Sequence, residues 1–231
     1  MSTLPVPSRR TAVLVAVVSA SVVLVLGLAI DAGWVPLVDL DRAVDDAVRG
    51  WALATPWAVS WSQVLDKVGG LSVSMLVTTV TVLVLLAFRR WRLALGVVGV
   101  ATLAPLVTDW IKVVVERARP VWEQPLGNEG TFSYPSGHAT GGLAVYAVCG
   151  IALATLLRDR RWAWALAVVS TLFGFSIGVS RVVLGVHWPS DVVGGWCVAI
   201  SVAAVFLALL LPLDPPPAPV TATTPADRVT D

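Results

Sequence analysis

The stretch Thr11–Ile30, TAVLVAVVSASVVLVLGLAI, contains no charged residue. A helix that spans a bilayer needs roughly 20 consecutive apolar residues, so this stretch has the length and composition of a membrane span. Uncharged runs recur along the rest of the chain, at Gly69–Phe88, Leu93–Leu106, Ala139–Leu157, Trp162–Ser180 and Val192–Leu213. We therefore expect an all-α fold: a polytopic membrane protein built as a six-transmembrane-helix bundle.

The composition agrees with a single membrane domain. Of the 231 residues, 57% are hydrophobic and 13% are charged, whereas a soluble domain carries about 25% charged residues. We expect residues 1–10 to form a cytoplasmic N-terminus, residues 11–213 the six-helix membrane domain, and residues 214–231 a disordered, Pro-rich cytoplasmic tail. The first helix is expected to be retained, because its run is long for a signal peptide and no clear small-residue cleavage site follows before Trp34.

The charge balance and the cysteines restrict the classes of partner. A net charge of +1 without a long basic tract gives no electrostatic footprint for nucleic acid, so we expect the bilayer as a partner and no nucleic acid. Cys149 and Cys197 lie inside apolar runs, where isolated cysteines usually pack as small residues. They predict neither a disulfide framework nor a cysteine-based metal site. The sequence leaves the oligomeric state open.

The basic residues predict the orientation of the bundle. If six helices alternate, one membrane face collects Arg9, Arg10, Arg89, Arg90, Arg92, Arg158, Arg160 and Arg161, and the positive-inside rule makes that face cytoplasmic. Lys112, Arg119 and Arg181 fall on the opposite face and break the rule, which indicates that they have another task.

The first outer loop is predicted to carry a short interfacial amphipathic helix, or two, within Val38–Trp61. Its apolar positions recur at helical spacing on the side opposite its charged positions, the former being Leu40, Val44 and Val48 and the latter Asp41, Asp45 and Arg49. Trp51, Trp57 and Trp61 are expected to anchor it along the outer surface, at the level of the lipid headgroups.

The first of three polar motifs is KVVVERARP, Lys112–Pro120. It is expected to close the third helix, with Lys112 and Arg119 on one face about 10 Å apart. Pro120 is expected to end that helix and to let Arg119 turn inward, and Glu116 to be a surface partner of Lys112. The alternative is that Lys112 and Arg119 are snorkelling cations, whose charged ends extend to the membrane–water interface without binding a ligand.

The second motif is YPSGH, Tyr134–His138, directly before an apolar run. Proline suits a first helical turn, and the backbone N–H groups of Ser136 and Gly137 would then be unpaired donors at a helix N-terminus, which is a site for an anion. His138 stands beside that site. An ordinary turn with a helix cap is the alternative.

The third motif is SRVVLGVHWPSD, Ser180–Asp191. Arg181 is expected to close the fifth helix and Pro189 to begin the sixth. Asp191, in that first turn, can then reach the ring of His187, fix its tautomer and leave Nε2 free to attack. A capping aspartate beside a packed histidine is the alternative.

Together the motifs supply the groups that phosphoryl transfer requires. Fixed cations stabilise the charge on phosphate oxygens in the transition state. Of the only two histidines in the chain, a neutral one can attack phosphorus and a protonated one can donate to the leaving oxygen. The residues alone leave open which histidine attacks, although the pairing with Asp191 favours His187. No metal-ligand cluster is visible, so we expect no metal and no cofactor.

The order Lys-x6-Arg-Pro, Pro-Ser-Gly-His and Ser-Arg-x5-His-x3-Asp resembles the type 2 phosphatidic acid phosphatase superfamily, whose site is similar to that of vanadium haloperoxidases and bacterial acid phosphatases. The resemblance implies that His187 is the nucleophile, that Asp191 orients it, and that His138 protonates the leaving group and then activates water. It implies a phosphate cradle of Lys112, Arg119, Arg181, Ser136 and Gly137.

We therefore expect a metal-independent lipid phosphatase that acts on a lipid phosphate or diphosphate such as undecaprenyl diphosphate, phosphatidylglycerol phosphate or phosphatidic acid. It should be a multi-pass protein of the cell membrane with its site on the extracytoplasmic side. The alternatives are a phosphotransferase that uses the same intermediate and a non-catalytic phospholipid carrier or transporter.

Overall fold

The fold is known from a computed structural model, which describes residues 4–5, 7–123, 125–127 and 130–211. The regular elements of these residues are all helical, which confirms the predicted all-α class. The helices are α1 (Arg9–Asp31), α2 (Val35–Leu53), α3 (Pro56–Gly69), α4 (Leu71–Ala87), α5 (Trp91–Val115), α6 (Gly137–Gly141), a π-helical turn (Gly142–Ala147), α7 (Val148–Ala154), α8 (Arg160–Val183) and α9 (Pro189–Leu210).

Five of the described helices are long and apolar enough to cross a membrane: α1, α5, the continuous helix Gly137–Ala154, α8 and α9. A sixth span arises if α3 and α4, which are bent by 56° at Gly70, are counted together. The predicted polytopic helical bundle is therefore confirmed, with five candidate spans, or six when the bent pair is counted as one.

The core of the bundle is built around α9, which packs against α1, α5 and the segment that begins at Gly137. Its contacts use small residues, which let helix backbones approach closely within a membrane. A similar close approach joins α8 to the π-helical turn, since a Cβ at Gly142 would lie 2.5 Å from the Gly174 carbonyl oxygen. The contact brings α8 against the helix that carries His138.

The three polar motifs meet at one end of the bundle. The last turn of α5, the start of α6, the last turn of α8 and the start of α9 all lie there, as the hydrogen bond from Ser136 N to Asp191 O illustrates (2.9 Å). At the other end Arg92 donates to the Leu210 carbonyl oxygen (2.9 Å). The motifs are thus separated from the arginine-rich end by the length of the bundle.

Helix α2 buries its charged face and exposes its apolar face, a direction that its amphipathic pattern did not specify. Asp41, Asp45 and Arg49 are buried, whereas Leu40 is exposed. The physical reason is that a helix lying on a membrane protein meets lipid on its outer side, so its apolar residues turn outward and its polar residues turn toward the polar mouth of the bundle. The predicted interfacial segment is present as two helices, α2 and α3, with exposed Trp51, Trp57 and Trp61.

The predicted cytoplasmic tail, residues 214–231, lies outside the described residues. The domain boundaries at residues 10 and 213 stay predictions. Cys149 is buried and Cys197 half-buried, and in the described part of the chain both are free thiols.

Candidate active site

His187 lies in the short loop between α8 and α9, and Asp191 lies in the first turn of α9. Arg181 is in the last turn of α8 and Pro189 begins α9, as the sequence predicted. His187 Nδ1 is 3.4 Å from Asp191 Oδ2, and both side chains are almost completely buried. The same oxygen also accepts from the Trp188 N–H (2.9 Å), so Asp191 both caps α9 and holds His187.

The contacts of His187 define its tautomer. Its Nε2 is 2.9 Å from Arg119 Nη1, and a guanidinium can only donate hydrogen bonds. Nε2 therefore carries the lone pair and Nδ1 carries the proton, which points to Asp191. Burial lowers the pKa of His187 to about 4, although its hydrogen bond to Asp191 opposes this shift. A neutral ring with an available Nε2 lone pair is the form that can attack phosphorus.

Lys112 and Arg119 reach the site in a different way from the one predicted. Helix α5 ends at Val115, and Glu116 closes it in a left-handed conformation (φ 50°) with its N–H on the Lys112 carbonyl oxygen. The predictions that Pro120 ends this helix and that Lys112 and Arg119 share a helix face are therefore wrong. A left-handed residue after the last turn ends a helix without a proline.

Both cations are held by backbone carbonyl oxygens of the segment before α6, and Arg119 also by one of the loop between α8 and α9. Lys112 Nζ donates to Phe132 O, and Arg119 donates from Nε to Thr131 O (2.6 Å) and from Nη1 to Val186 O (2.7 Å). A phosphate ligand can replace these carbonyl oxygens as the acceptors of the two cations, because charged oxygens accept stronger hydrogen bonds than neutral carbonyls do.

Ser136 is less available than the sequence suggested. It is fully buried and is the N-cap of α6, where its Oγ accepts from Ala139 N (3.4 Å). Its own N–H donates to Asp191 O, so the prediction that this N–H is an unpaired donor is wrong, because α9 packs directly against the loop. Pro135 precedes the cap and does not lie in the first helical turn. Gly137 is exposed, with open space where a Cβ would lie.

His138 and Arg181 form a second group around Asp66 of α3. His138 Nε2 lies 3.2 Å from Asp66 O and 3.2 Å from Asp66 Oδ1, and Arg181 Nη1 donates to the same carboxylate. Because both Asp66 oxygens accept hydrogen bonds, His138 Nε2 carries a proton. Ser136 connects the two groups, since it bonds to Asp191 and lies two residues before His138.

Four polar residues of the site were not recognised from the sequence: Asp41, Asp66, Arg117 and Ser133. Arg117 donates to Asp191 Oδ1 and to Asp41 Oδ2, both at 2.6 Å, and Ser133 Oγ donates to Asp191 Oδ2. The available signal for Arg117 was its place inside the first motif. The spacing of four between Asp41, Asp45 and Arg49 marked one helix face but not its direction. Nothing in the sequence distinguished Asp66 or Ser133.

Asp45 is buried near this group without contacting the two histidines. In the part of the chain that the structure describes, neither of its carboxyl oxygens has a hydrogen-bond partner. Burial, together with the neighbouring Asp46 carboxylate, raises the pKa of Asp45 to about 7.

The arrangement provides an oriented neutral imidazole, a second imidazole with a proton on Nε2, and the three predicted phosphate-binding cations, Lys112, Arg119 and Arg181, at one mouth. Groups of three or more His, Cys, Asp or Glu side chains that could hold a metal ion do not occur among the described residues. These groups suit transfer of a phosphoryl group to and from His187.

Comparison with known proteins shows that the chain is similar to phosphatases. The family model described as the PAP2 superfamily matches residues 93–213. Phosphatidylglycerophosphatase B of Bacillus subtilis is 34% identical over 99 residues, which cover 41% of this chain and 47% of the relative. Undecaprenyl-diphosphatase BcrC of Bacillus subtilis is 33% identical over 122 residues, covering 51% of this chain and 57% of the relative. The chain thus spans about half the length of the curated relatives it matches.

The fold is also similar to a solved structure, that of a transmembrane PAP2-type phosphatidylglycerolphosphate phosphatase from Bacillus subtilis. The TM-score is 0.74 at 25% sequence identity, and the match covers 83% of this chain and 93% of that one. The likeness extends beyond the three motifs to most of the helical bundle.

Proposed function

The chain belongs to the PAP2 superfamily, and on this premise we propose that it is an integral membrane phosphatase that hydrolyses a lipid phosphate or diphosphate through a phosphohistidine. The observation that carries the proposal is the state of His187. Its Nδ1 proton points to Asp191, its Nε2 lone pair faces Arg119 (2.9 Å), and burial keeps the ring neutral.

In the first step, the His187 Nε2 lone pair forms a bond to phosphorus, and the bond between phosphorus and the leaving oxygen breaks. The imidazole becomes positively charged, and the Asp191 carboxylate at Nδ1 stabilises that charge. His138 donates its Nε2 proton to the leaving oxygen. The dephosphorylated lipid then departs and the phosphoryl group remains on His187.

In the second step, His138 is neutral and takes a proton from a water molecule. The water oxygen forms a bond to phosphorus, the bond between phosphorus and Nε2 breaks, and inorganic phosphate leaves. Both histidines return to their starting protonation states, so the cycle balances with water as the only second reactant. The scheme requires no metal ion.

The phosphate oxygens are held by Lys112, Arg119 and Arg181. To bind them, Lys112 and Arg119 exchange the loop carbonyls for phosphate, and Arg181 exchanges the Asp66 carboxylate. The Gly137 N–H adds a donor at the exposed start of α6, while Ser136 contributes by fixing this loop on α9. Removing one such transition-state donor commonly costs a factor of about 100 to 1000 in kcat.

The position of the site supports a lipid substrate. The mouth is at the end of membrane-spanning helices, where a lipid headgroup can reach it while its hydrocarbon tail stays in the bilayer. The relatives named for phosphatidylglycerophosphate and undecaprenyl diphosphate support substrates of this kind, and phosphatidic acid is a third candidate. The arginine-rich helix ends at the other side favour a cell-membrane protein with an extracytoplasmic site.

The test is phosphate release by the detergent-purified full chain from a panel of lipid phosphates and diphosphates, in excess EDTA, beside His187→Ala. We expect release by the wild-type protein only. Adding short alcohols separates hydrolysis from transfer, since a phosphotransferase would produce alkyl phosphate in place of inorganic phosphate. Absence of both products from every lipid, with monodisperse wild-type protein, would refute the proposed function and leave a binding role.

A further inference from the structure

We propose that Arg117 and Asp41 are a pair of positioning residues that fix the orientation of Asp191, and through it the orientation and basicity of His187. Helix α2 serves this pair by carrying Asp41 to the start of α9. The inference rests on the proposed function, because it concerns the histidine that attacks the substrate.

The two terminal nitrogens of Arg117 serve different carboxylates. Nη1 donates to Asp191 Oδ1 and Nη2 donates to Asp41 Oδ2, each at 2.6 Å. The Arg117 side chain is 10% exposed, and those of Asp41 and Asp191 are 3% and 0% exposed. Its guanidinium carbon also lies 5.5 Å from the centre of the Trp188 ring. The fork of a guanidinium can hold two groups in a fixed geometry, which a lysine ammonium cannot reproduce.

Asp41 is itself held by the first turn of α9. Its Oδ1 accepts from the Ser190 N–H (2.9 Å), and its Oδ2 accepts from the Ser190 hydroxyl (2.5 Å). Ser190 directly precedes Asp191. Asp41 thus binds both the backbone next to Asp191 and Arg117, the cation that holds Asp191. These contacts explain why the polar face of α2 is buried.

The two oxygens of Asp191 therefore have separate tasks. Oδ1 is occupied by Arg117, and Oδ2 faces the Trp188 N–H, the Ser133 hydroxyl and His187 Nδ1. With both oxygens engaged, the carboxylate cannot rotate away from the imidazole. A side chain that locks an orienting group in this way typically changes activity by about 10- to 100-fold when removed.

The pair also sets the charge near His187. Asp41, Arg117 and Asp191 together carry one net negative charge in a buried place. The cations that face the ring from other elements are Arg119 on the loop and Lys112 on α5, and both oppose its protonation. Asp45, further along α2, is the other buried carboxyl next to this group. Removing the positive charge of Arg117 should therefore raise the pKa of His187, and removing the negative charge of Asp41 should lower it.

The test compares Arg117→Gln, Asp41→Asn and Arg117→Lys with Asp39→Asn, a matched control at an exposed position of α2. We expect kcat to fall by about 10- to 100-fold in the first three variants, with KM nearly unchanged, and to keep its wild-type value in the control. The acidic limb of the kcat profile should move to higher pH in Arg117→Gln, which loses a cation, and to lower pH in Asp41→Asn, which loses an anion. Arg117→Lys keeps the charge and should lower kcat without moving the limb.

A second measurement is independent of turnover. The chain has two histidines, so ¹⁵N-histidine labelling gives two sets of ring signals, and His187→Asn identifies those of His187. We expect a neutral ring protonated at Nδ1, and titration midpoints shifted in the same opposite directions in Arg117→Gln and Asp41→Asn. Equal midpoints in all variants and the control would overturn the inference, as would wild-type kcat in Arg117→Gln.

The two proposals fail in distinguishable ways. If the wild-type protein releases no phosphate, the proposed function fails, and the ring signals of His187 still decide whether Arg117 and Asp41 act on it. If either Arg117→Gln or Asp41→Asn does not fold, the kcat of Arg117→Lys and the His187 titration in the other charge-removing variant still test the inference. A loss of kcat with unshifted limbs in every variant would reduce the pair to a structural clamp and contradict the proposed effect on His187.

Discussion

Arg119 Nη1 lies 2.9 Å from His187 Nε2, so the cation proposed to bind the phosphate lies next to the nitrogen proposed as the nucleophile. A guanidinium cannot accept a hydrogen bond, and the contact therefore requires the lone pair on Nε2. A phosphate that enters must therefore lie between the Arg119 guanidinium and the His187 ring, with its oxygens accepting from Arg119 and its phosphorus facing Nε2. This geometry aligns charge stabilisation with the proposed line of attack.

The role of His138 predicts a dependence on the leaving group. A lipid monophosphate releases an alkoxide that must be protonated, whereas a lipid diphosphate releases a phosphate monoester that leaves readily as an anion. His138→Ala should therefore lower the rate of the first step for a monophosphate by about 100-fold or more, and for a diphosphate much less. Single-turnover kinetics with both lipids measure this difference. Equal losses with both substrates would remove His138 from the role of acid.

The buried state of His187 predicts the acidic side of the pH profile. Because burial lowers its pKa from 6.5 to about 4, the ring stays neutral well below the ordinary titration range of histidine. We expect kcat/KM to persist as the pH falls through 6.5 and to disappear near 4. The ionisation of the substrate phosphate, titrated separately in the same detergent, is the control. An acidic limb centred at or above 6.5 would contradict a neutral, buried nucleophile.

The carboxylate shared by His138 and Arg181 predicts opposite effects on binding and turnover. Asp66 holds Arg181 before substrate arrives and also accepts from His138 Nε2. Asp66→Asn should lower KM, because Arg181 is released more easily for phosphate, and should lower kcat by about tenfold, because His138 loses a charged partner. Lys67→Gln, at an exposed position of the same helix, is the control. A raised KM would mean that Asp66 assists binding.

Asp45 predicts a pH-dependent stability. Its pKa is raised from 3.8 to about 7 in the folded protein, so the native state holds this proton more tightly than the unfolded chain does. The free energy of unfolding should therefore fall as the pH rises from about 4 to 7. Asp45→Asn should unfold at nearly the wild-type temperature at pH 4 and at a higher temperature at pH 8. A constant difference between the two melting temperatures at all pH values would contradict the shifted pKa.

The parts of the fold that follow from local pattern could be predicted from the sequence. Uncharged runs give the spans because the bilayer excludes charge over a fixed length. Pro189 marks the start of α9, and the spacing of four then places Asp191 under His187. These predictions depend only on helical geometry and on the chemistry of single residues.

The remaining features depend on contacts between distant segments. Arg117 meets Asp41 across 76 positions of the chain, and Arg181 meets Asp66 across 115. The direction of α2 depends on whether lipid or polar protein lies outside it, which a periodic pattern alone does not specify. Helix α5 ends where Glu116 adopts a left-handed conformation. Glycine usually occupies such a position, so a glutamate there does not signal a helix end in the sequence.

The central claim, phosphoryl transfer to His187, is tested most directly by trapping the intermediate. His138→Ala, turning over a lipid diphosphate, should complete the first step but lack the base for the second, so the phosphorylated protein should accumulate. Phosphohistidine survives base and is lost in acid, so the reaction is stopped in alkali, digested and analysed by mass spectrometry. We predict phosphate on the peptide that contains His187, and its absence in the His138→Ala/His187→Asn double variant. Phosphate on another residue, or rapid turnover without any phosphorylated protein, would contradict the account.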